Sequence, residues 1–353
     1  MKKNKIFKLI FALAIFFLVT VTSEAADEGI GFEVSPVFPS SQIEKNLGYY
    51  YLETKPGEKQ TFEMAVFSTS DKEIELEPVM ENAISLTTGT IGYNSDLKHT
   101  HESLKQPITE IVKPETETIK LKPKEQKNVK FEITPPKKAY DGAKMGRVVI
   151  RLKKDKENKG VNQEFQYAVG IITANSGQPF NDGNKLELNE VKANVTNGSK
   201  VIEGEIVNPQ PKTIENLKVR AYVTKKGETK KLKEKNIDNF AFAPNSKVDY
   251  TIPWGLTNFE TGEYTFHFTG KNEFESFNLK KDFKIRGETA NKLNNEAAFA
   301  VKTPTNIKIL IIALNVLLVA LCVIVVLRNK KWVKELKAKK KKRDRKKGKK
   351  RKK

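Results

Sequence analysis

The chain has 353 residues, with 64 lysines and arginines against 43 aspartates and glutamates, and a formal net charge of +21. The excess lies at the two ends: residues 328–353 hold 18 basic and 2 acidic side chains, and residues 1–8 hold 4 lysines and no acid. Residues 9–327 are nearly neutral, with 42 basic and 41 acidic side chains. Because nucleic-acid binding needs basic residues clustered on the folded surface, this balance argues against a nucleic-acid partner.

Residues 1–25 have the pattern of a secretory signal peptide. Lysines precede an apolar run from Leu9 to Val19, and Ser23-Glu24-Ala25 fits the rule for a cleavage site between small residues. We expect cleavage after Ala25 and export of the rest of the chain. An uncleaved N-terminal anchor is the alternative, although the apolar run is short for a membrane span.

A polar, turn-rich region follows, in which short runs of alternating apolar and polar residues replace any long helical periodicity. Strands that alternate in this way, separated by turns, are typical of sandwiches. Pro-containing turns precede such strands three times, within residues 53–63, 121–132 and 242–252. We therefore predict an all-β protein with two tandem immunoglobulin-like β-sandwich domains. The alternation places two sets of residues in the first core: Phe62, Met64 and Val66, and Val129, Phe131 and Ile133.

A cluster of polar residues at 155–162 predicts the boundary between the two domains. The first sandwich would then comprise residues 26–160 and the second residues 161–288. A strand predicted within 163–174 could close the first sandwich or pass into the second. Residues 289–308 form a polar stalk in this interpretation, with a short helix around 291–300.

The apolar segment Ile309–Leu327 predicts a single transmembrane helix. At ~1.5 Å per residue it would measure about 28 Å, close to the ~30 Å hydrocarbon thickness of a bilayer. It contains Cys322, the only cysteine, so no disulfide bond can hold the exported domains together. The basic tail 328–353 follows, and the positive-inside rule predicts that it is cytoplasmic. There it would bind anionic lipid, with an acidic intracellular partner or RNA as the alternative.

The sequence offers no catalytic constellation. His99 and His101 would share a face of an extended strand, but no cysteine or third ligand motif accompanies them, so we predict no metal ion and no cofactor. Phosphate-binding glycine loops, a serine elbow and a cysteine nucleophile are absent from the sequence. We therefore predict that the protein is not an enzyme, with paired carboxylates acting on wall glycans as a third-ranked alternative.

Two stretches supply candidate ligand-binding residues. The irregular stretch 85–107 interrupts the strand rhythm, and its aromatic and polar groups suit a sugar or peptide, although a solvated hairpin explains it equally well. The run Tyr49-Tyr50-Tyr51 offers alternating aromatic rings, at least one of which we expect in the core. The candidates are Tyr49, Tyr51, Tyr93, Asn94, Asp96, His99 and His101.

Three ordered groups of motifs extend over nearly the whole mature chain. They are Gly31–Gln42 with Asn46–Tyr49 and Lys55–Gln60; Pro135–Gly146; and Glu203–Gln210 with Ala243–Ser246 and Gly262–Thr265. In this combination the chain resembles the WxL-interacting protein family of Gram-positive surface proteins. The resemblance implies a first domain that binds peptidoglycan, a second domain that binds host proteins, and association with WxL-repeat wall proteins.

We therefore predict a non-enzymatic surface scaffold or adhesin, anchored in the cell membrane by one span, with its N-terminal ectodomain outside the cell. Its expected partners are peptidoglycan, WxL-repeat surface proteins and host extracellular proteins. The alternative is an extracytoplasmic chaperone or assembly factor, because two tandem sandwiches also suit a protein that lends a strand to its client. A soluble chaperone would not need the membrane helix.

Overall fold

The computed structural model describes residues 30–153, 165–175, 179–299 and 305–350. Over these residues the chain forms two β-sandwiches followed by a long helix, as the sequence predicts. The expected signal peptide, residues 1–25, and the polar cluster at 155–162 lie outside the described residues.

The first sandwich packs a four-stranded sheet against a six-stranded sheet. The four-stranded sheet is antiparallel in the order β1-β3-β8-β6: Phe32–Val37, Gln60–Ser68, Gln126–Ile133 and Val112–Pro114. The six-stranded sheet has the order β2-β10-β9-β4-β5: Tyr50–Glu53, Gln166–Ala174, Ala143–Leu152, Ile74–Ser85 and Ile91–Asn94. The sixth strand, β7 (Ile119–Leu121), also pairs with β4, and a short helix, α1, spans Ile108–Ile111.

Alternation along the strands builds the first core. The predicted inward residues of β3 and β8 are confirmed: Phe62, Met64, Val66, Val129, Phe131 and Ile133 are all buried. Phe62 and Phe131 are direct partners across the two strands, and their rings stack with centroids 5.0 Å apart. Paired aromatic rings of this kind stabilise a sheet beyond the burial of their area.

The second sandwich combines a three-stranded and a four-stranded antiparallel sheet. The first has the order β11-β12-β15: Glu187–Thr196, Ser199–Asn208 and Ser246–Pro253. The second has the order β14-β13-β16-β17: Lys231–Phe242, Ile214–Lys225, Gly262–Lys271 and Ser276–Ile285. Asn197 and Gly198 join β11 to β12 with φ of 50° and 74°, the left-handed backbone that a two-residue hairpin turn requires.

The first sandwich extends further along the chain than the sequence predicts. Strand β10 pairs with β9 over its whole length, and its Val169 and Ile171 are buried in the first core. This strand therefore closes the first sandwich, which continues beyond the predicted boundary at residue 160.

The first part of the segment 289–308, which the sequence predicts to be a stalk, is instead packed on the second sandwich. A helix, α2 (Gly287–Glu296), packs on the second core through Ala290 and Leu293. The Asn294 amide donates to the carbonyl oxygen of Phe259 at 3.1 Å and accepts from its backbone N–H at 2.8 Å. The start of the segment is therefore a docked helix.

The stretch 85–107 connects the two sandwiches. Its first part forms β5, which pairs with the end of β4 as a hairpin. At the hairpin tip, the Gly89 carbonyl accepts a hydrogen bond of 2.8 Å from the N–H of Ala241 in β14. The side chain of Phe240 would lie 2.9 Å from a Cβ at Gly89, so the tip contacts the second sandwich closely.

The second part of the same stretch runs alongside the start of β15. The His101 N–H donates to the Asn245 carbonyl at 2.8 Å, and the Lys247 N–H donates to the His99 carbonyl at 3.0 Å. Thr100 and Ser246 form the antiparallel bridge between these bonds. The two sandwiches are thus joined by backbone pairing as well as by the covalent linker.

The final element is one continuous helix, α3, from Thr305 to Lys350. Its segment Ile309–Lys330 is long and apolar enough to cross a membrane, and it contains the predicted span Ile309–Leu327. The apolar side chains from Ile309 to Leu327 are exposed rather than packed on the sandwiches, as a membrane helix requires.

Candidate ligand-binding groove

The outer face of the six-stranded sheet carries the three predicted tyrosines. Tyr50, at the start of β2, is fully buried in the core and donates its hydroxyl hydrogen to the Glu63 carbonyl at 2.7 Å. Since neighbouring side chains in an extended chain point to opposite faces, Tyr49 and Tyr51 lie on the outer face. Tyr93 lies in β5, at the opposite edge of the sheet from β2, where it pairs with Ala83 of β4. Its side chain lies on the same outer face as that of Tyr49.

A groove of about 500 Å³ lies over this face, where the first sandwich meets the second. Tyr49 and Tyr93 line it together with Met145 of β9 and Gly170 of β10. Phe180, Asn181 and Glu215 line it from the linker and the second sandwich. The volume of the groove, its aromatic lining and its position between two domains are typical of sites that bind small ligands.

Gly170 keeps the floor of the groove open. A Cβ at this position would lie 3.4 Å from the Cβ of Tyr49, in ordinary van der Waals contact, so a larger side chain would occupy the floor of the groove beside the tyrosine. Because Gly170 has no side chain, the Tyr49 side chain lies directly beside the backbone of β10. Glycine within a strand often marks such a close approach.

Charge is distributed unevenly around the groove. Burial raises the pKa of Tyr49, and the negative charges of Glu44 and Glu215 raise it further. Burial also raises the pKa of Tyr93, opposed by Arg147, whose guanidinium lies 5.1 Å from the ring centroid. Arg147 is itself paired with Glu81 at 2.6 Å, so its charge is compensated within the sheet.

Glu215 supplies the carboxylate of the groove from the start of β13. Its Oε1 accepts a hydrogen bond of 2.7 Å from the Thr213 hydroxyl, which fixes the side chain. Among the described residues, no lysine or arginine lies within ion-pair distance of it. The carboxylate is therefore held in place without a direct ion pair, although Lys218 and Lys271 line a recess that it also borders.

Tyr51 does not line the groove. It is 8 % exposed, and its ring packs against Phe180 with centroids 5.3 Å apart. Together with Ala143, Ile172 and Ala174 it forms a small apolar cluster between the sheet and the linker. The geometry favours a role in packing rather than ligand contact.

Asn94 and Asp96 form consecutive turns just after β5. The Asn94 Oδ1 accepts from the Asp96 N–H at 3.3 Å, and the Asp96 Oδ1 accepts from the Lys98 N–H at 2.9 Å. Such local bonds from Asn and Asp side chains shape loops. The structure does not bring these two side chains into the groove.

His99 and His101 lie at the contact between the sandwiches. The His101 Nδ1 accepts from the Ser103 N–H at 3.2 Å, and the Ser103 hydroxyl lies 2.8 Å from the Asn245 amide nitrogen. The described part of the chain holds no group of three metal-ligating side chains, and neither histidine lines the groove. Whether any of the seven predicted residues binds a ligand stays a prediction.

Sequence reasoning missed most of the groove, since only Tyr49 and Tyr93 of its lining residues were predicted. Phe180 and Asn181 lie in a stretch rich in Gly, Asn and Ser that indicates only a linker, and Glu215 is one of many glutamates in alternating strands. The contact between Tyr49 and Gly170 could not be predicted either, because 121 positions separate the two residues in the sequence. Only the glycine within a predicted strand hinted at a close approach.

A second recess, also of about 500 Å³, lies next to the groove on the second sandwich, and Glu215 lines both. It is lined mainly by polar side chains, among them Asn216, Asn239 and Lys271. Phe274, at the tip of the β16–β17 hairpin, borders the recess with 84 % of its surface exposed.

Fold and groove together define a class: a tandem β-sandwich binding protein followed by an apolar helix that can anchor it in a membrane. Residues 32–151 match the family profile described as "WxL Interacting Protein, peptidoglycan binding domain", and residues 156–295 match "WxL Interacting Protein, host binding domain". The chain belongs to the WxL-interacting protein family. The second match begins before β10, which the sheet pairing assigns to the first sandwich.

The solved structures that match the chain include fimbrial chaperones, all with low TM-scores. The class 5 fimbriae chaperone CfaA is 13 % identical, over 71 % of this chain and 98 % of its own, with a TM-score of 0.28. The CsuC–CsuE chaperone complex of Acinetobacter baumannii is 10 % identical over 70 % of this chain and 97 % of its own, with a TM-score of 0.31. The E. coli chaperone DraB is 14 % identical over 68 % of this chain and 96 % of its own, with a TM-score of 0.27. Similarity this low does not support the chaperone alternative. No curated protein matched the chain.

Proposed function

We propose that this protein is a non-enzymatic surface scaffold that binds peptidoglycan through its first sandwich and a protein partner through its second. The observation that carries the proposal is the order of its parts. Two binding domains of one family follow each other along the chain, and a helix able to span a membrane follows them. Such a chain holds the wall and a partner protein close to the bilayer.

The groove is the wall-binding site in this proposal. Tyr49 and Tyr93 present aromatic surface on which sugar rings and apolar parts of a peptide can pack. Asn181 and Glu215 add the few polar groups that orient such a ligand. Both sandwiches contribute, so the site needs the docked arrangement of the two domains.

The test is retention of the full-length protein, in mild detergent, on insoluble peptidoglycan sacculi. We expect wild-type protein to be retained and the Tyr93→Ala variant to lose most of its retention. Tyr222→Ala is the matched control, because Tyr222 is a half-buried tyrosine on the second sandwich that stacks on His267 at 4.4 Å, away from the groove. Thermal unfolding of both variants separates lost binding from lost folding.

Wild-type protein that sediments no better than an unrelated membrane protein would remove the wall-binding assignment. Equal retention of Tyr93→Ala and Tyr222→Ala would leave wall binding in place and move it away from the groove.

Phe274 is the contact that we propose for the protein partner of the second sandwich, either a WxL-repeat surface protein or a host extracellular protein. An aromatic side chain exposed at a hairpin tip beside a polar recess resembles the centre of a protein interface. We expect Phe274→Ser to weaken capture of a WxL-repeat protein or host matrix protein at least tenfold, or about 1.4 kcal/mol. Leu256→Ser is the control, since Leu256 is 55 % exposed on a loop before β16, whereas Phe274 follows that strand.

The orientation that we propose places both sandwiches outside and the basic tail inside, where it contacts anionic lipid. Trypsin added to intact cells is then expected to cut the sandwiches and to spare an epitope tag placed after Lys353. Permeabilising the cells should expose that tag. Loss of the tag in intact cells, with the sandwiches uncut, would reverse the orientation.

A further inference from the structure

The groove is lined by one carboxylate, that of Glu215, which makes no direct ion pair with the described residues. Glu215 is fixed by the Thr213 hydroxyl, and its charge reaches the Tyr49 ring, as the raised pKa of that tyrosine indicates. On β4 of the first sandwich, two carboxylates are matched with cations: Glu81 with Arg147 at 2.6 Å and Glu77 with Arg151 at 3.2 Å. A fixed carboxylate without an ion pair, in a groove lined by aromatic rings, is available to bind a cationic ligand.

The surroundings of Glu215 favour one ligand chemistry. A carboxylate in a partly enclosed groove binds a cation through a charge-assisted hydrogen bond. The Tyr49 ring adds attraction for a cation through its electron-rich face. Met145 and Phe180 offer apolar contact to the carbon chain that would carry such a cation. An anionic ligand would meet Glu215 at an energetic cost, since like charges repel.

We propose that the groove binds the free side-chain amine of a diamino acid in the peptide stem of peptidoglycan, with Glu215 of the second sandwich as its counter-ion. This inference rests on the proposed function and specifies which part of the wall polymer is recognised. The second sandwich takes part in wall recognition through this one carboxylate.

The probe is a synthetic stem tetrapeptide with L-lysine at its third position, compared with the same peptide acetylated on the lysine side chain. Both are titrated calorimetrically into full-length protein in detergent. We expect the free amine to bind at least about tenfold more tightly than the acetylated form, the magnitude of a hydrogen bond to a charged group. In Glu215→Gln this difference disappears, because the amide keeps the size of the side chain and loses its charge.

Glu228→Gln is the matched control. It makes the same charge change in the same sandwich, in the exposed turn after β13, whereas Glu215 lies at the start of that strand. We expect Glu228→Gln to keep the full preference for the free amine. Equal affinity of wild-type protein for both peptides, failure to bind either, or an unchanged preference in Glu215→Gln would overturn the proposal.

Two further measurements separate this inference from wall binding itself. Retention on sacculi is measured with the same protein preparations. If the protein is retained but binds the free-amine and acetylated peptides equally, only the amine proposal is overturned. Amine preference without retention overturns only the wall-binding proposal. An unrelated lysine-containing peptide that binds equally well through Glu215 would assign the groove to a protein lysine and reject the stem peptide.

Discussion

Ser85 shows how single side chains join the two sandwiches. Its Oγ accepts a hydrogen bond of 2.9 Å from the Ala243 N–H and lies 2.6 Å from the Ser246 Oγ. Since the Ser246 hydroxyl donates to the Ala243 carbonyl at 2.7 Å, the Ser85 hydroxyl donates to Ser246. The serine is 2 % exposed, so water cannot replace these bonds.

Ser85→Ala is expected to lower the free energy of unfolding by about 1–3 kcal/mol, because the Ala243 N–H then loses its acceptor in a buried contact. Urea unfolding of the full-length protein in detergent measures the loss. Ser68→Ala is the control, because the Ser68 hydroxyl is buried and has no hydrogen-bond partner. We expect that change to be neutral or stabilising, and equal losses in the two variants would refute the bridging role.

Lys144 carries a second prediction, on pH dependence. It is 8 % exposed on β9, its Nζ donates to the Lys105 carbonyl and lies 5.0 Å from the Tyr140 ring centroid, and burial lowers its pKa to about 8, opposed by Glu110. The folded state thus loses this proton at a lower pH than the unfolded state. Between these two pKa values the unfolded chain binds more protons, so stability increases with pH.

We therefore expect the free energy of unfolding of wild-type protein, relative to Lys144→Met, to increase between pH 8 and about 9.5. Urea unfolding at a series of pH values measures this difference. The exposed Lys98→Met variant should follow wild-type protein throughout. Parallel pH profiles of wild type and Lys144→Met would contradict the buried-lysine explanation.

At the scale of elements, α2 belongs to the second sandwich. Its Leu293 is 7 % exposed and packs in the second core, so the chain leaves the sandwich only after this helix. Leu293→Ala is expected to lower the free energy of unfolding by about 2–5 kcal/mol through the cavity that it leaves. Lys292→Ala, on the exposed face, should stay near wild type in the same urea titration. A flexible stalk would instead make both changes neutral.

At the scale of the whole molecule, the docked sandwiches are expected to unfold together. Gly142, before β9, has φ of 72°, and a Cβ there would lie 2.1 Å from the Pro211 carbonyl oxygen of the second sandwich. The neighbouring Ala143 N–H donates to the same oxygen at 2.7 Å. Any side chain at 142 must therefore push the two bodies apart.

Gly142→Ala should destabilise the protein more than Gly227→Ala. Both positions have positive φ and share a strain of about 1–2 kcal/mol, but nothing lies within 4 Å of a Cβ at Gly227. The excess loss in Gly142→Ala, at least about 1 kcal/mol for the bridging hydrogen bond, measures the contact between the sandwiches. Differential scanning calorimetry should also resolve two transitions in this variant. Equal losses and a single transition in both would show that the contact adds no stability.

Much of the architecture follows from local sequence patterns. Alternation with a period of two assigned Phe62, Met64 and Val66 to the core, and the length of an apolar run predicted the helix that contains Ile309–Leu327. The same alternation places Tyr49 and Tyr50 on opposite faces, as the fully buried Tyr50 confirms. These features depend on the geometry of one strand or helix, which neighbouring residues in the chain determine.

The tertiary structure alone decided which faces meet. Strand β10 could have joined either domain, and only its pairing with β9 resolved the alternative. The groove combines Tyr49, Gly170 and Glu215, and His99 and His101 turned out to lie in the contact between sandwiches. A local pattern tells which way a side chain points from its own strand, but not which distant strand packs opposite it, because that depends on the packing of the whole chain.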